Sequence, residues 1–113
     1  MKLRLSTLVL FAAAMASAIA TPKDDPTYSG EYFYNFENSF LTPDGMDEEW
    51  CIDSPLMEKA MLPAKDAIGQ WGRSHVVVRG KLGPKGSYGS LGRCKRVLAV
   101  SALVQVTNMR GKD

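Results

Sequence analysis

The sequence has few of the side chains that catalysis and metal binding use most. Its 113 residues include one histidine, His75, and two cysteines, Cys51 and Cys94. The cysteine spacing fits no zinc pattern, and no serine lies in a GxSxG nucleophile elbow. A catalytic triad needs three groups in contact, so His75 is expected to be an exposed residue at the end of a strand. We predict no catalytic residue, no metal and no cofactor, and keep a small hydrolase as the most distant alternative.

Long apolar runs are missing after residue 20. Residues 1–20 read MKLRLSTLVLFAAAMASAIA, with positive charges at Lys2 and Arg4, an apolar segment, and small residues ending at Ala20. The apolar segment is shorter than the roughly 20 residues that a transmembrane helix needs. This arrangement is typical of a cleaved secretory signal peptide. We therefore expect an exported protein, periplasmic or secreted, with no transmembrane segment after signal removal.

The two cysteines are expected to pair. Residues 21–113 make one small domain, a size that is often marginally stable without a cross-link. An exported location favours oxidation of thiols, so the sequence predicts a Cys51–Cys94 disulfide. Two free thiols in a metal site are the competing interpretation.

Charge is divided unevenly along the chain. Residues 21–66 carry eleven carboxylates against three lysines, a net charge of −8, and residues 67–113 carry nine basic residues against one aspartate, a net charge of +8. This asymmetry would suit a basic face that binds an anionic partner. In one small domain, however, the two halves could also neutralise each other. The pattern leaves both possibilities open.

Composition divides the chain into four parts. Residues 1–20 form the signal peptide, residues 21–30 a flexible leader, residues 31–108 a single β-rich domain and residues 109–113 a polar tail. Within the domain, periodicity predicts strands at residues 31–40, 46–53, 75–82 and 96–106.

One helical region is predicted between the second and third strands. Ser54 is its N-cap and Pro55 its first residue. Proline suits this position because it has no backbone N–H, and an N–H there would have no partner within the helix. Pro63 should interrupt this region before it ends at Gly72. In the strand that follows, Gly80 is expected to mark a bend or bulge.

These elements favour a mainly β fold with a short helix, arranged as a small, strongly curved barrel or half-barrel, because closure removes exposed sheet edges. The segment HVVVRGKL, followed by a long glycine-rich connection and an apolar strand, resembles oligonucleotide/oligosaccharide-binding (OB) barrels. It is similar in particular to small exported proteins of that architecture. The resemblance covers residues 75–106 and implies five strands, so a fifth must lie in the leader, in the helical region or in residues 86–94. An open α+β roll is the alternative.

The connection between the last two strands is the candidate binding element. Glycines recur every third residue from Gly80 to Gly92 among basic side chains, and such a loop can hold anionic groups. It lacks the spacing of a phosphate-binding P-loop. The candidate binding residues are Arg79, Lys81, Lys85, Tyr88, Arg93, Lys95 and Arg96.

The favoured function is therefore that of an exported, non-enzymatic binding module of a protein-interaction or inhibitor type. Its partner would be another envelope or extracellular protein. This hypothesis predicts exposed aromatics beside arginine, such as Tyr32, Tyr34 or Tyr88 near Arg79 and Arg93. The alternative is a binder of an anionic envelope ligand, either a glycan or a phosphate-bearing molecule, through residues 80–96. Export and the neutral net charge of residues 21–113 argue against nucleic acid.

Overall fold

The computed structural model describes residues 24–63 and 71–111, and within them the chain is mainly β. The predicted signal peptide therefore lies outside the described residues. The five strands are β1 (Thr27–Tyr34), β2 (Ser39–Pro43), β3 (Trp50–Cys51), β4 (Gly72–Leu82) and β5 (Arg96–Gly111). A 3₁₀ helix spans Pro55–Ala60, and a second 3₁₀ turn spans Ser90–Gly92.

The five strands form one closed sheet in the order β1-β2-β3-β5-β4, in which β4 also pairs with β1. All neighbouring pairs are antiparallel except β3 and β5, which are parallel. The ring is closed, whereas the alternative predicted from the sequence was an open roll. Closure gives β1 a hydrogen-bonded neighbour along both of its edges.

The first predicted strand, residues 31–40, is two strands in the structure. A tight turn separates β1 from β2, and Asn35 organises it: its side-chain Oδ1 accepts hydrogen bonds from the backbone N–H groups of Glu37 (2.8 Å) and Asn38 (2.7 Å). Asparagine side chains stabilise turns in this way. The prediction of a single strand was wrong, and its division supplies the fifth strand.

The boundaries of the domain also differ from those expected. β1 begins at Thr27, so the end of the predicted leader belongs to the sheet. β5 continues to Gly111 and takes up most of the predicted polar tail. Both extensions gain backbone hydrogen bonds by pairing with β4. Thr27 lies opposite Arg79 of β4, and Gly111 lies opposite Gly72 of β4.

The predicted second strand, residues 46–53, is reduced to Trp50 and Cys51. The residues before it pack against the long β4–β5 connection instead, because the N–H of Lys95 donates to the carbonyl of Glu49 at 2.8 Å. The β4–β5 connection is thereby tied to the segment that leads into β3.

The predicted helix start is confirmed. Ser54 is the N-cap, with its hydroxyl accepting from the N–H of Leu56, and Pro55 begins the 3₁₀ helix. Met57 and Ala60 of this helix are buried against the sheet, and the hydroxyl of Ser74 donates to the carbonyl of Ala60 at 3.1 Å. Most of the predicted continuation, residues 64–70, lies outside the described residues.

The core fills the interior of the ring, from inward-facing side chains of all five strands and the 3₁₀ helix. Its buried members are Tyr32, Tyr34, Leu41, Trp50, Ile52, Met57, Ala60, Val76, Val78 and Leu98. Tyr32 and Tyr34 are thus core residues, and the prediction that they are exposed binding aromatics was wrong. Strand alternation explains this, because residues 32 and 34 lie on the same face of β1 and that face points into the core.

Alkaline pH should destabilise the fold through Tyr32. Burial raises the pKa of Tyr32 from 10.0 to about 12. The unfolded chain then ionises this phenol first, so stability is full below pH 10 and falls by about 1.4 kcal/mol per pH unit above it, up to about 3 kcal/mol near pH 12. Urea unfolding at pH 8, 10 and 11 should show the protein losing stability relative to its Tyr32→Phe variant only above pH 10. Parallel pH profiles for the two proteins would contradict this assignment.

Candidate functional site

The largest described cavity is a groove of about 600 Å³ between the β1–β2 turn and the β4–β5 connection. Residues 35–38 form one wall and residues 88–90 the opposite wall. Phe40, Cys51 and Ile52 lie along it between the walls. We call this cavity the loop groove.

One strongly exposed apolar side chain lies on the first wall of the loop groove, and another directly follows the second wall in sequence. Phe36 lines the groove and is 77% exposed, and Leu91, which follows the groove residue Ser90, is fully exposed. Leu91 also has a left-handed backbone conformation (φ 60°), which costs a leucine about 1 kcal/mol. Strained backbone and exposed apolar surface both concentrate at binding sites.

The disulfide ties the β4–β5 connection, which forms the second wall, to β3 between the walls. Cys51 of β3 is bonded to Cys94 of the β4–β5 connection, as predicted, across a Cα–Cα distance of 5.4 Å. Gly89 passes directly over this bond: a Cβ at that position would lie 2.7 Å from the sulfur of Cys51, and its φ is +73°. Only glycine fits this path, so the disulfide sets the position of the wall that bears Leu91.

The charged residues that line the loop groove are both acidic. They are Glu37 and Asp53, and both are exposed. Within the described part of the chain, neither carboxylate forms an ion pair. The groove therefore combines apolar rims with unneutralised negative charge.

A row of arginines and aromatic rings continues from the groove along the outer face of β1 and β2. The guanidinium of Arg93 lies 4.6 Å from the ring centroid of Phe40, which stacks on Phe33 at 6.1 Å. Phe33 contacts Trp71 at 5.5 Å, and Arg73 lies 5.0 Å from the Phe33 centroid and 5.9 Å from that of Trp71. These five residues are called the arginine–aromatic row below.

The row borders a second cavity, of about 170 Å³. This cavity shares Asn35, Asn38 and Phe40 with the loop groove, and Arg73 and Arg93 line it. The two cavities are therefore adjacent stretches of one surface.

Three of the predicted binding residues are already engaged by carboxylates. Arg93 makes a bidentate contact with Glu49 (2.5 and 3.1 Å), and this hydrogen bonding raises the pKa of Arg93 above its usual value. Arg96 and Lys85 lie 3.9 and 3.8 Å from opposite oxygens of Glu48. The ion pairs of the described residues all join the acidic half of the chain to the basic half.

The four remaining predicted binding residues lie on β4 and on the β4–β5 connection. Arg79 and Lys81 lie on β4, and Lys95 is exposed at the end of the connection. Tyr88 is half-buried, lines the loop groove, and donates its hydroxyl to the carbonyl of Pro84 at 2.9 Å. Of the seven predicted residues, Tyr88 alone lines the loop groove in the described structure, and the anionic-ligand hypothesis stays a prediction.

His75 is half-exposed and contacts a carboxylate. Its Nε2 lies 3.0 Å from an oxygen of Asp44, whose carboxylate also accepts the hydroxyl of Ser29 at 2.8 Å. Hydrogen bonds from His75, and then from Ser29, lower the pKa of Asp44. In a catalytic triad the hydroxyl donates to the imidazole, whereas here it donates to the carboxylate. Neither His75 nor Asp44 lines the cavities described above.

Several groups that matter at this surface were not predicted from the sequence: Phe33, Phe36, Phe40, Arg73 and Leu91. The signal for Phe36 was the pair of asparagines that flanks it, because asparagines favour turns and a phenylalanine in a turn is exposed. We find no comparable sequence signal for Leu91.

The described residues contain neither a cluster of metal-ligand side chains nor a long apolar helix. Across residues 24–63 and 71–111, no group of three or more His, Cys, Asp or Glu side chains is arranged to hold a metal ion. The same part of the chain contains no helix with the length and apolar content required to cross a bilayer.

Comparison with known proteins gives no match to a protein family, to a curated protein or to a solved structure. The function is therefore inferred from the loop groove and the arginine–aromatic row.

Proposed function

We propose that this protein is an exported, non-enzymatic module whose OB-like barrel binds a segment of another protein in the loop groove. The strand order, the parallel contact between β3 and β5, and the helix between β3 and β4 support the OB-like assignment. Barrels of this kind bind ligands with the β2–β3 face and the β1–β2 and β4–β5 loops. The loop groove lies between those two loops.

The observation that carries the proposal is a pair of exposed apolar side chains: Phe36, which lines the loop groove, and Leu91, which directly follows the groove residue Ser90. Each costs free energy in water, and Leu91 adds the cost of its backbone conformation. A bound partner would remove both side chains from water and offset these costs. Aromatic anchors at the centre of an interface commonly supply most of its binding energy.

The charge of the groove favours one chemistry for the partner. Glu37 and Asp53 supply negative charge that the described residues leave unneutralised. The partner segment should therefore present an apolar side chain beside a lysine or arginine, since complementary potentials guide association and specificity.

Export is part of the same proposal. Residues 1–20 have the pattern of a secretory signal peptide, and the disulfide between Cys51 and Cys94 is compatible with an oxidising compartment. His75, Asp44 and Ser29 do not have the arrangement of a catalytic triad, because the serine hydroxyl donates to the carboxylate.

The test is a selection from a random peptide display library against the oxidised protein. We expect enriched peptides to contain an aromatic or aliphatic residue next to lysine or arginine. The Phe36→Ser/Leu91→Ser double variant should bind the selected peptides at least tenfold more weakly, because it removes both anchors.

Val104→Ser is the matched control, since Val104 is an exposed apolar residue on β5 and does not line the groove. It should leave peptide affinity unchanged. Equal losses in the control and the double variant, or no enrichment over an unrelated disulfide-bonded protein, would refute the proposed function.

A further inference from the structure

Arg73 differs from the other arginines of the arginine–aromatic row and its surroundings. Arg93, Arg96 and Arg110 each donate side-chain hydrogen bonds, to Glu49, to the carbonyl of Gly83 and to Glu31 respectively. Within the described residues, the guanidinium of Arg73 donates to no oxygen and lies within 4 Å of no carboxylate. The two carboxylates that line the second cavity with Arg73 are Glu31 and Glu49, and each is paired with another arginine.

The guanidinium of Arg73 is nevertheless held in place. The rings of Phe33 and Trp71 contact it at centroid distances of 5.0 and 5.9 Å. Arginine guanidinium groups can stack on aromatic rings, and their five N–H donors lie in the guanidinium plane. Arg73 thus resembles a preorganised donor whose hydrogen-bonding edge is available.

The surroundings of Arg73 have room for a ligand. It lines the 170 Å³ cavity that adjoins the loop groove and also a cavity of about 310 Å³ with Trp71, Arg110 and Gly111. A segment bound in the loop groove would reach Arg73 by following the outer face of β1 and β2.

From this geometry we propose that Arg73, with Phe33 and Trp71, forms a carboxylate-binding subsite that holds an aspartate or glutamate side chain of the bound partner segment. The inference rests on the proposed function for the identity of the partner. Planar guanidinium groups bind carboxylates through two parallel hydrogen bonds. The partner segment would then be basic at the groove end and acidic at the Arg73 end.

The subsite itself can be tested without any partner, using phenylacetate as the probe and neutral phenylacetamide as its isostere. In NMR titrations, phenylacetate should shift the Arg73 Nε–H and Trp71 indole N–H signals in a saturable manner, and phenylacetamide should not. Arg73→Gln should lower the affinity about tenfold or more. Arg73→Lys should recover only part of it, since it keeps the charge and loses the planar fork.

Arg79→Gln is the matched control, because it makes the same charge change on the same strand outside these cavities. It should leave phenylacetate binding unchanged. Equal responses to the two probes, or an equal loss in Arg79→Gln, would overturn the subsite.

Selected peptides then separate this inference from the proposed function. Replacing the acidic residue of a peptide by its amide should weaken binding about tenfold to the protein and have no effect on binding to Arg73→Gln, the signature of a direct contact. Peptides that depend on Phe36 and Leu91 but carry no acidic residue would refute the subsite and leave the groove intact. If phenylacetate binds but the selection enriches no peptide, the proposed function of the loop groove would be refuted and the Arg73 subsite would stand.

Discussion

Replacing Cys51 and Cys94 together by alanine is expected to lower the free energy of unfolding by about 3 to 4 kcal/mol. The disulfide closes a loop with a sequence separation of 43 residues, and in the chain-entropy treatment its loss frees that loop in the unfolded state. Cys94 is also completely buried, so its truncation removes packing. The measurement is urea unfolding under oxidising conditions.

Reduction supplies the control for this prediction. Dithiothreitol should destabilise the protein by a comparable amount and leave the double-alanine variant unaffected. A double variant within about 1 kcal/mol of the protein would mean that contacts such as the Glu49–Arg93 pair fix the β4–β5 connection by themselves. The variant should also bind selected peptides more weakly at temperatures where it remains folded, because the bond positions the wall that bears Leu91.

Gly80→Ala is expected to destabilise the fold by about 3 kcal/mol. The register of β4 and β5 shifts between Arg79 and Gly80, as the predicted bulge requires. A Cβ at position 80 would lie 2.4 Å from the carbonyl oxygen of Ala99, so β5 would have to move away from β4. Overpacking of this kind typically costs 1 to 3 kcal/mol or more.

Gly83→Ala is the matched control for Gly80→Ala. Position 83 follows β4, and a Cβ there would meet one backbone atom, the Val97 carbonyl oxygen, at 3.2 Å. We expect a loss of about 1 kcal/mol or less, which is usual outside crowded positions. Equal losses at the two positions would show that contact with Ala99 does not determine the cost at Gly80.

Local sequence patterns were sufficient for some parts of the fold. The alternation in residues 75–82 predicted β4, because one face of a half-buried strand must be apolar. Ser54 and Pro55 predicted the helix start, because capping chemistry is local. The expectation of export predicted the disulfide between the two cysteines.

Other parts depended on tertiary contacts that no local pattern contains. The aromatic alternation of residues 31–40 continues across Asn35 and concealed the turn that the asparagines favour, whereas the pairing of β1 with β2 shows where the chain turns. The basic residues of the β4–β5 connection were recognised, but their partners were not, since Arg93 and Glu49 are 44 residues apart. The sequence did not indicate Arg73, because only the structure shows that it forms no ion pair within the described residues.

The central claim of this account is that the loop groove is the binding surface. The most direct measurement is a backbone amide chemical-shift map of the ¹⁵N-labelled protein titrated with the highest-affinity peptide selected against it. The largest perturbations should fall in residues 35–40 and 88–94. These ranges include both walls of the loop groove as well as Phe36 and Leu91. Perturbations centred on the outer face of β5, with the two walls unchanged, would contradict it.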